Sequence, residues 1–575
     1  MTRKLIIGTI PDDFSPETHV ALGPWCFAEK EDVFPGWEQL EFPLTPFGSI
    51  DELSKAASGT EAWFDAHVME LVCALDLPGT EEYGEIFWRS LHAFWVIPII
   101  QVLYDRQQRL KAAVDYFGEE ELDVELLVGE GPNVRTCIEL QKLTMDNKFN
   151  HWIFSYFIKV LGVGKWRLKE RKISHSDWAV SQEIKKPSVT FIRSSLERFI
   201  RLINIHLPCR SVKGMRLWTQ TLWSLRFILR ASKIKELFPT HNVSSGNDHP
   251  QVNWDVDIIG LLVILFPARY RSHVQLGTAM SFLLPKTPIL TSSVLYDEDS
   301  QCDVARKLNL GVPVLMSQHG GNYGNAALFS TISKTEYIAN AYITWGWSKH
   351  SCYSGNFLAL PSPYLQRYRD VYKPNNGRIC LVLTRDHLHF YRFDAMPDPV
   401  NQVERRSETF SFLNSLASSV LSNTCLRPYP RNSEGELDNE RAVRRLFPDM
   451  NIVTGNFMNH MLHFRLVVID HPGTTLNVAM AANMPVLGYW KDRDWAMCEF
   501  SEPLFNRMRA VKILFEDAAE AGKHVNEIAE DLLSWWTSIE VQSVRLEWIK
   551  YYASASKDWT TKWSSALFGK NMNDE

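Results

Sequence analysis

The sequence lacks a paired-cysteine motif, a long apolar run, an internal repeat and a large net charge. Its nine cysteines (Cys26, Cys73, Cys137, Cys209, Cys302, Cys352, Cys380, Cys425 and Cys498) are odd in number and scattered without a CxxC pair. That pattern argues against a zinc ribbon or a disulfide framework and predicts a reducing compartment. The most apolar stretches, 94–103 and 258–266, fall far below the ~20 residues needed to span a bilayer, so they read as buried strands or core helices. The opening MTRKLIIGTIPDDF has only a short apolar run before Pro11, too short for a signal-peptide core, so secretion is not expected. A net charge of -6, from 61 basic and 67 acidic residues, gives no overall attraction to nucleic acid or anionic lipid. Any anionic ligand must be held locally.

What is present is a large folded chain. Its 575 residues exceed what one hydrophobic core organises, so two or three domains are expected. With 45% hydrophobic residues, 20 Trp and 31 Phe, extended disorder is excluded. Residues 5–10 read as a strand opening an α/β unit. From about 50 to 235 the apolar spacing turns helical, as in Trp88, Leu91, His92, Trp95 and Ile99, with Pro98 expected to kink or interrupt its helix. The polar stretch 242–249 reads as a loop and marks a join. Beyond it, apolar runs at 261–266, 288–292, 312–316, 342–345, 379–383, 466–470 and 485–488 alternate with helical patterns, the signature of parallel sheets covered on both faces. A tail from about 510, anchored by Trp535, Trp536, Trp548, Trp559 and Trp563, is helical again.

Two segments carry the strongest chemical signal. In the first, a strand ends in Asp470-His471-Pro472-Gly473-Thr474-Thr475-Leu476-Asn477 and a helix follows. Such a turn aims free N–H groups and a helix dipole at the strand's carboxyl end, where phosphate binds. Thr474 and Thr475 can cap the helix or donate hydroxyls to a phosphate, and Asp470 and His471 face the crevice or fix the turn. In the second, a strand ends in Gln318-His319-Gly320-Gly321-Asn322-Tyr323-Gly324. The glycines allow close backbone approach, and His319 is the candidate general base. Asn322 and Tyr323 are placed to orient a sugar, although packing serves Tyr323 equally. Arg427, before Pro428-Tyr429-Pro430, offers a guanidinium suited to phosphate, and Thr384-Arg385-Asp386 is a weaker site. Asp386-His387-Leu388-His389 and the His460/His463 pair lack a supporting ligand cluster, so no metal is expected. The basic run 165–172 reads as a solvated helix face, with contact to an anionic membrane as the alternative.

At these residues the chain resembles a family of surface-carbohydrate transferases encoded in O-antigen biosynthesis loci. The likeness runs through Leu22-Gly23-Pro24-Trp25-Cys26, Tyr104-Asp105-Arg106, Gln318 to Gly324, Thr344-Trp345-Gly346-Trp347, Arg427-Pro428-Tyr429-Pro430 and Thr474-Thr475-Leu476, in the family's order. It implies a GT-B-like α/β fold, with two Rossmann-like domains facing a cleft. In that scheme residues 1–350 form the acceptor-side domain with a helical insertion at about 50–235, residues 351–508 form the donor-binding domain, and 509–575 form a helical tail. It also implies a cytoplasmic glycosyltransferase, peripheral to the inner membrane at most, that uses a nucleotide-sugar donor and a glycan or lipid-linked acceptor without metal or other cofactor. Donor phosphate would rest on Arg427, Asp470, His471, Gly473, Thr474, Thr475 and Asn477. The acceptor would lie near His319, beside Gln318, Gly320, Gly321, Asn322 and Tyr323. More loosely, His319 resembles the His-Gly loop of polyol-phosphate polymerases, and His471-Pro472 resembles a motif of transferases using cytidine-monophosphate sugars. A CMP-nonulosonate or Kdo-type donor is therefore a candidate. An alditol-phosphate transferase and a non-catalytic glycan-binding subunit are the alternatives. The chain departs from the family pattern after Pro430, where Arg431-Asn432-Ser433-Glu434 follows, and at Pro472, leaving the donor open.

Overall fold

The computed structural model describes residues 2–43, 45–77, 80–118, 120–163, 165–178, 207–239, 250–276, 284–292, 297–394, 397–430 and 435–569; the loop expected at 242–249 lies outside them. The chain is α/β, as its pattern predicts, and among the described residues the strands form three sheets whose ladders are all parallel. The first has four strands, β1 (Arg3–Ile6), β2 (His19–Ala21), β3 (Leu122–Gly129) and β4 (Arg167–Ile173), in the order β2-β1-β3-β4. Strands β3 and β4 fall within the stretch that reads as helical. The basic run 165–172 is correspondingly an exposed edge strand rather than a helix face. Its charges are matched across the sheet by Arg167–Glu121 and Arg171–Glu125 pairs, and charged side chains on an edge discourage pairing with another chain.

Three helices stack beside this sheet: α1 (Ile50–Leu75) packs on α2 (Glu85–Phe117), α2 packs on α3 (Asn147–Leu161), and α3 packs on β3. Helix α1 begins where the Ser49 hydroxyl accepts from the Glu52 amide, satisfying one of the free amides of the first turn. Pro98 does not interrupt α2, which runs through it for 33 residues. The fully buried Leu91, Ile99 and Leu103 and nearly buried Trp95 offset the roughly 3 kcal/mol that an interior proline costs. Helix α2 is long and apolar enough to cross a membrane, but 83% of its apolar window is buried inside the protein. The run 261–266, which reads as a strand, is mostly helix α4 (Ile258–Ile264), started by the Asp257 carboxylate accepting from the Gly260 amide. A short apolar run does not distinguish the two, and the cap decides.

The second sheet comprises β5 (Ile289–Thr291), β6 (Val314–Ser317), β7 (Ala341–Thr344) and β8 (Phe357–Ala359), in that order. Cys209 bridges Leu290 in parallel beyond β5, so the segment 208–210 extends this sheet. The third has six strands, β9 (Ile379–Val382), β10 (Thr424–Arg427), β11 (Asn451–Ile452), β12 (Leu466–Ile469), β13 (Val486–Tyr489) and β14 (Leu514–Phe515), ordered β11-β10-β9-β12-β13-β14. Helix α5 (Ser330–Thr335) packs on α2, α6 (Gln402–Ser415) packs on the helix Ala518–Ile528, and α7 (Thr474–Ala482) packs on β12 and β13.

Side-chain anchors tie these parts together. Arg106 donates to the Phe390 carbonyl at 2.9 Å, Gln101 Oε1 accepts from the Phe393 amide at 2.9 Å, and Ser330 donates to Asp394 at 2.9 Å. The segment after β9 is thus pinned to α2 and α5, which accounts for the Tyr104-Asp105-Arg106 motif. In the tail, α8 (Ile539–Tyr552) reaches α7 through Trp548 Nε1, and α9 (Trp559–Phe568) reaches the Pro361 carbonyl through Trp563 Nε1.

Candidate functional site

The third sheet grows outward from β9 in two directions, first through β10 and β11, then on the other side through β12, β13 and β14. Its topological switch point lies between β9 and β12, and open α/β sheets bind ligands outside the carboxyl ends of the strands at that point. Thr384 leaves β9 there, and Asp470 leaves β12. Asp470 Oδ1 accepts from the Thr384 amide at 2.8 Å and from His471 Nδ1 at 2.8 Å, while Oδ2 accepts from Arg405 at 3.0 Å. Helix α7 starts immediately beyond, with Gly473 as its N-cap residue, and its first amides have no acceptor within the helix.

The His319 loop comes from the other sheet and lands on this turn. The Gly321 amide donates to Thr474 Oγ1 at 2.9 Å. A Cβ on Gly321 would lie 2.5 Å from both Gly473 C and Thr474 N, and one on Gly473 would lie 2.6 Å from the His471 ring. At Gly321 backbone packs on backbone, and at Gly473 the imidazole of His471 takes the space a side chain would fill. Two motifs about 150 residues apart therefore form one site, with Thr474 as the latch between them. Thr475, the next residue, has no hydrogen-bond partner for its hydroxyl among the described residues, and it stands beside the first amides of α7.

His319 sits at the carboxyl end of β6 with 20% of its side chain exposed. The Tyr323 hydroxyl lies 3.2 Å from Nε2 and 3.3 Å from Nδ1, and Glu336 Oε1 lies 3.9 Å from Nδ1. Burial first, then the charges of Lys213 and Arg392, pull the imidazole down to about 4. It is therefore neutral near pH 7, the form that accepts a proton, although a value so low weakens it as a base. Glu336 is pushed up to about 8 by burial, against a Tyr342 hydroxyl donating to Oε2 at 3.0 Å. Ionised, this carboxylate would stabilise the imidazolium that forms when His319 takes a proton.

Several expected contacts belong instead to the scaffold. Gln318 is buried; its amide donates to the Gly320 carbonyl at 2.9 Å, and its Oε1 accepts from Trp345 N and Trp347 Nε1, both at 2.9 Å. That fixes the Thr344-Trp345-Gly346-Trp347 turn against the His319 loop. Asn322 takes a left-handed conformation, φ 68°, and its carbonyl accepts from the Asn325 and Ala326 amides, so it shapes the loop. Tyr323 is buried, stacked on Phe329, and meets His319 rather than an open cleft. Asn477 is buried and accepts from Trp548 Nε1 at 2.9 Å. The buried Asp470 carboxylate has three partners already in place, so it orients His471. Arg427 turns toward β11, where its guanidinium donates to the Val453 and Gly455 carbonyls at 2.8 Å; orphaned carbonyls of the adjoining loop claim it. His471, with Nδ1 on Asp470, presents Nε2 over Gly473, and as an imidazolium it would donate to an anion.

Three residues of the site have no legible sequence signal. Glu336 stands in an undistinguished helical stretch, and Lys213 in the run Ser211-Val212-Lys213-Gly214. Arg405, on α6, is buried beside Asp470, with Asp386 and Asp494 at 3.9 and 4.0 Å. Among the described residues, no three His, Cys, Asp or Glu side chains are grouped so as to hold a metal ion.

A family model described as LIC12162 family transferase matches residues 3–567. No curated protein matches the chain. Solved structures similar to parts of it include an accessory secretory protein 1, 2 and 3 structure from Streptococcus pneumoniae (12% identity, 48% of this chain, 52% of that chain, TM-score 0.27). The chain thus spans about half the length of that structure. Others are a point mutant of Thermobaculum terrenum O-GlcNAc transferase (10%, 90% and 85%, TM-score 0.30) and WaaG, a glycosyltransferase involved in lipopolysaccharide biosynthesis (15%, 48% and 69%, TM-score 0.22). Likenesses this distant carry no weight on activity.

Proposed function

The chain belongs to the LIC12162 family of transferases, and from that premise we propose that it is a GT-B-like glycosyltransferase moving a sugar from a nucleotide-activated donor to a surface-polysaccharide acceptor. The observation that carries this reading is the Gly321–Thr474 hydrogen bond, which sets a proton acceptor beside a helix terminus suited to phosphate. In this reading the donor phosphate rests on the amides of Thr474 and Thr475, the Thr475 hydroxyl and His471 Nε2–H. His319 takes the proton from the acceptor hydroxyl as it attacks the anomeric carbon, and the helix terminus stabilises the departing nucleotide phosphate. The protein's own groups supply this charge stabilisation, so transfer would run without metal. We place the reaction in the cytoplasm, against the inner membrane when the acceptor is lipid-linked, with the O-antigen as the candidate product and a CMP-nonulosonate or Kdo-type sugar as the candidate donor.

Thermal stabilisation across a panel of nucleotides, nucleotide sugars and CDP-alditols tests it. A ligand at a hundredfold excess over its dissociation constant adds about 2.7 kcal/mol of apparent stability. A shift with one nucleotide sugar, lost in Thr475→Ala and kept in Arg427→Ala, supports the reading. A shift confined to CDP-alditols would move the reaction to alditol-phosphate transfer, and no shift with any of them would end the proposal.

A further inference from the structure

We infer that Lys213 is a second anion site of the cleft, holding an anionic group that the donor carries besides the phosphate at the α7 terminus. That group is the second phosphate of a nucleoside diphosphate sugar or the carboxylate of a sugar acid. The inference rests on the donor reading above and deepens it.

The sequence around Lys213 is built to hold the side chain still. Segment 208–210 extends the second sheet past β5, so Lys213 lies beyond the carboxyl end of that sheet, at the edge that also carries His319. Buried Arg210 pairs with Asp303 at 2.7 Å, the Ser211 amide donates to Gln220 Oε1 at 3.0 Å, and Arg367 donates to the Gly214 carbonyl. Ser211 and Gly214 are both left-handed, φ 55° and 91°, and the space for a Cβ on Gly214 is taken by Tyr364 N at 2.3 Å. The loop is therefore fixed at both sides of the lysine.

So braced, the Lys213 ammonium lies 4.4 Å from the centre of the Tyr364 ring and 5.9 Å from that of Trp345. Among the described residues no carboxylate stands within ion-pair distance of it. Burial lowers its pKa to about 8. Aromatic faces offset only part of what it costs to withdraw an ammonium from water, and an anion would offset the rest. The platform is fixed to the base, because the Trp345 amide donates to Gln318, the residue before His319. Lys213 is in turn one of the charges that lower the His319 pKa. A cation held rigid, unpaired and beside the acceptor-activating group is placed for a charge on the substrate, away from the amides of α7.

Isothermal titration of the full chain with CMP, CDP, UDP and CMP-N-acetylneuraminate, at pH 7 and 9, tests this in the wild type, Lys213→Gln, Lys213→Arg and Thr475→Ala. Lys213→Gln is expected to weaken either the diphosphates or the sugar-acid nucleotide roughly tenfold to a hundredfold, the range of one charged hydrogen bond, while CMP is unchanged. Loss for CDP and UDP assigns a second phosphate; loss for CMP-N-acetylneuraminate alone assigns a carboxylate. For the same ligand, wild-type affinity falls from pH 7 to 9 as the ammonium is lost, and Lys213→Arg keeps it. Of the groups around the lysine, His319 is already neutral at pH 7 and the Tyr364 phenol stays protonated at pH 9. Glu336 does ionise in this interval, but equally in wild type and Lys213→Arg. If Thr475→Ala loses binding and Lys213→Gln changes none of it, the inference fails and the donor reading stands. If the wild type binds none of the four, both fail.

Discussion

At the scale of single residues, the site is a set of titrating groups whose surroundings push them apart. His319 is held neutral and Glu336 protonated near pH 7, so the pair reaches its most basic arrangement only when Glu336 ionises. At saturating donor, the expected profile of kcat rises with pH through about 8, and in Glu336→Gln that limb disappears. A profile identical in the two proteins would show that Glu336 only packs. Asn477 separates two roles just as directly. Asn477→Ala leaves the buried Trp548 N–H without its acceptor, at a cost of roughly 1–3 kcal/mol, and thermal unfolding should report this while nucleotide affinity stays level. Lost affinity at unchanged stability would return Asn477 to the donor. Arg405 is the more severe case: Arg405→Gln strands buried Asp470 beside Asp386 and Asp494, and removal of one partner of a buried ion pair costs roughly 3–5 kcal/mol.

At the scale of elements, the close approach of two turns makes the site. Gly321→Ala puts a methyl group into the backbone of Gly473 and Thr474; overpacking of this kind costs about 1–3 kcal/mol, and it should abolish nucleotide binding at temperatures where the protein remains folded. Binding at wild-type affinity in Gly321→Ala would separate the two turns again. The pattern of apolar runs at 312–316, 379–383, 466–470 and 485–488 makes four central strands legible, because fully buried parallel strands are short and continuously apolar. The same rule misreads 261–266, where the Asp257 cap makes a helix, and passes over β3 and β4, embedded between long helices. His319, Thr474 and Thr475 are legible because strand–turn–helix grammar marks them. Their contact is not, and neither is the turning of Arg427 toward Val453 and Gly455, because sequence spacing says nothing about which carbonyls lack donors.

At the scale of the whole molecule, the parts are joined by buried polar anchors whose protonation sets a pH limit. Burial lifts Glu61 and Glu336 from an ordinary 4.5 to about 8, so between these values the folded chain keeps protons that the unfolded chain releases. This contribution to stability is complete below 4.5 and is lost as pH rises to 8. Buried His92, His319 and His350, lowered to about 3 or 4, act in the opposite sense only up to about 6.5, and Lys213 and Lys307, lowered to about 8, act above 8. Between pH 6.5 and 8 the glutamates prevail, and Tm should fall in the wild type more than in Glu336→Gln. Equal falls would mean that Glu336 is ionised already.

The central claim is that the His319 loop and the α7 terminus form one transfer site with divided labour. Its most direct test is to measure, in one His319→Ala preparation, both donor affinity and transfer of labelled sugar to isolated polysaccharide. The account predicts wild-type affinity with turnover reduced roughly 10²- to 10⁴-fold, the share that general base catalysis supplies. Undiminished turnover in His319→Ala would contradict it.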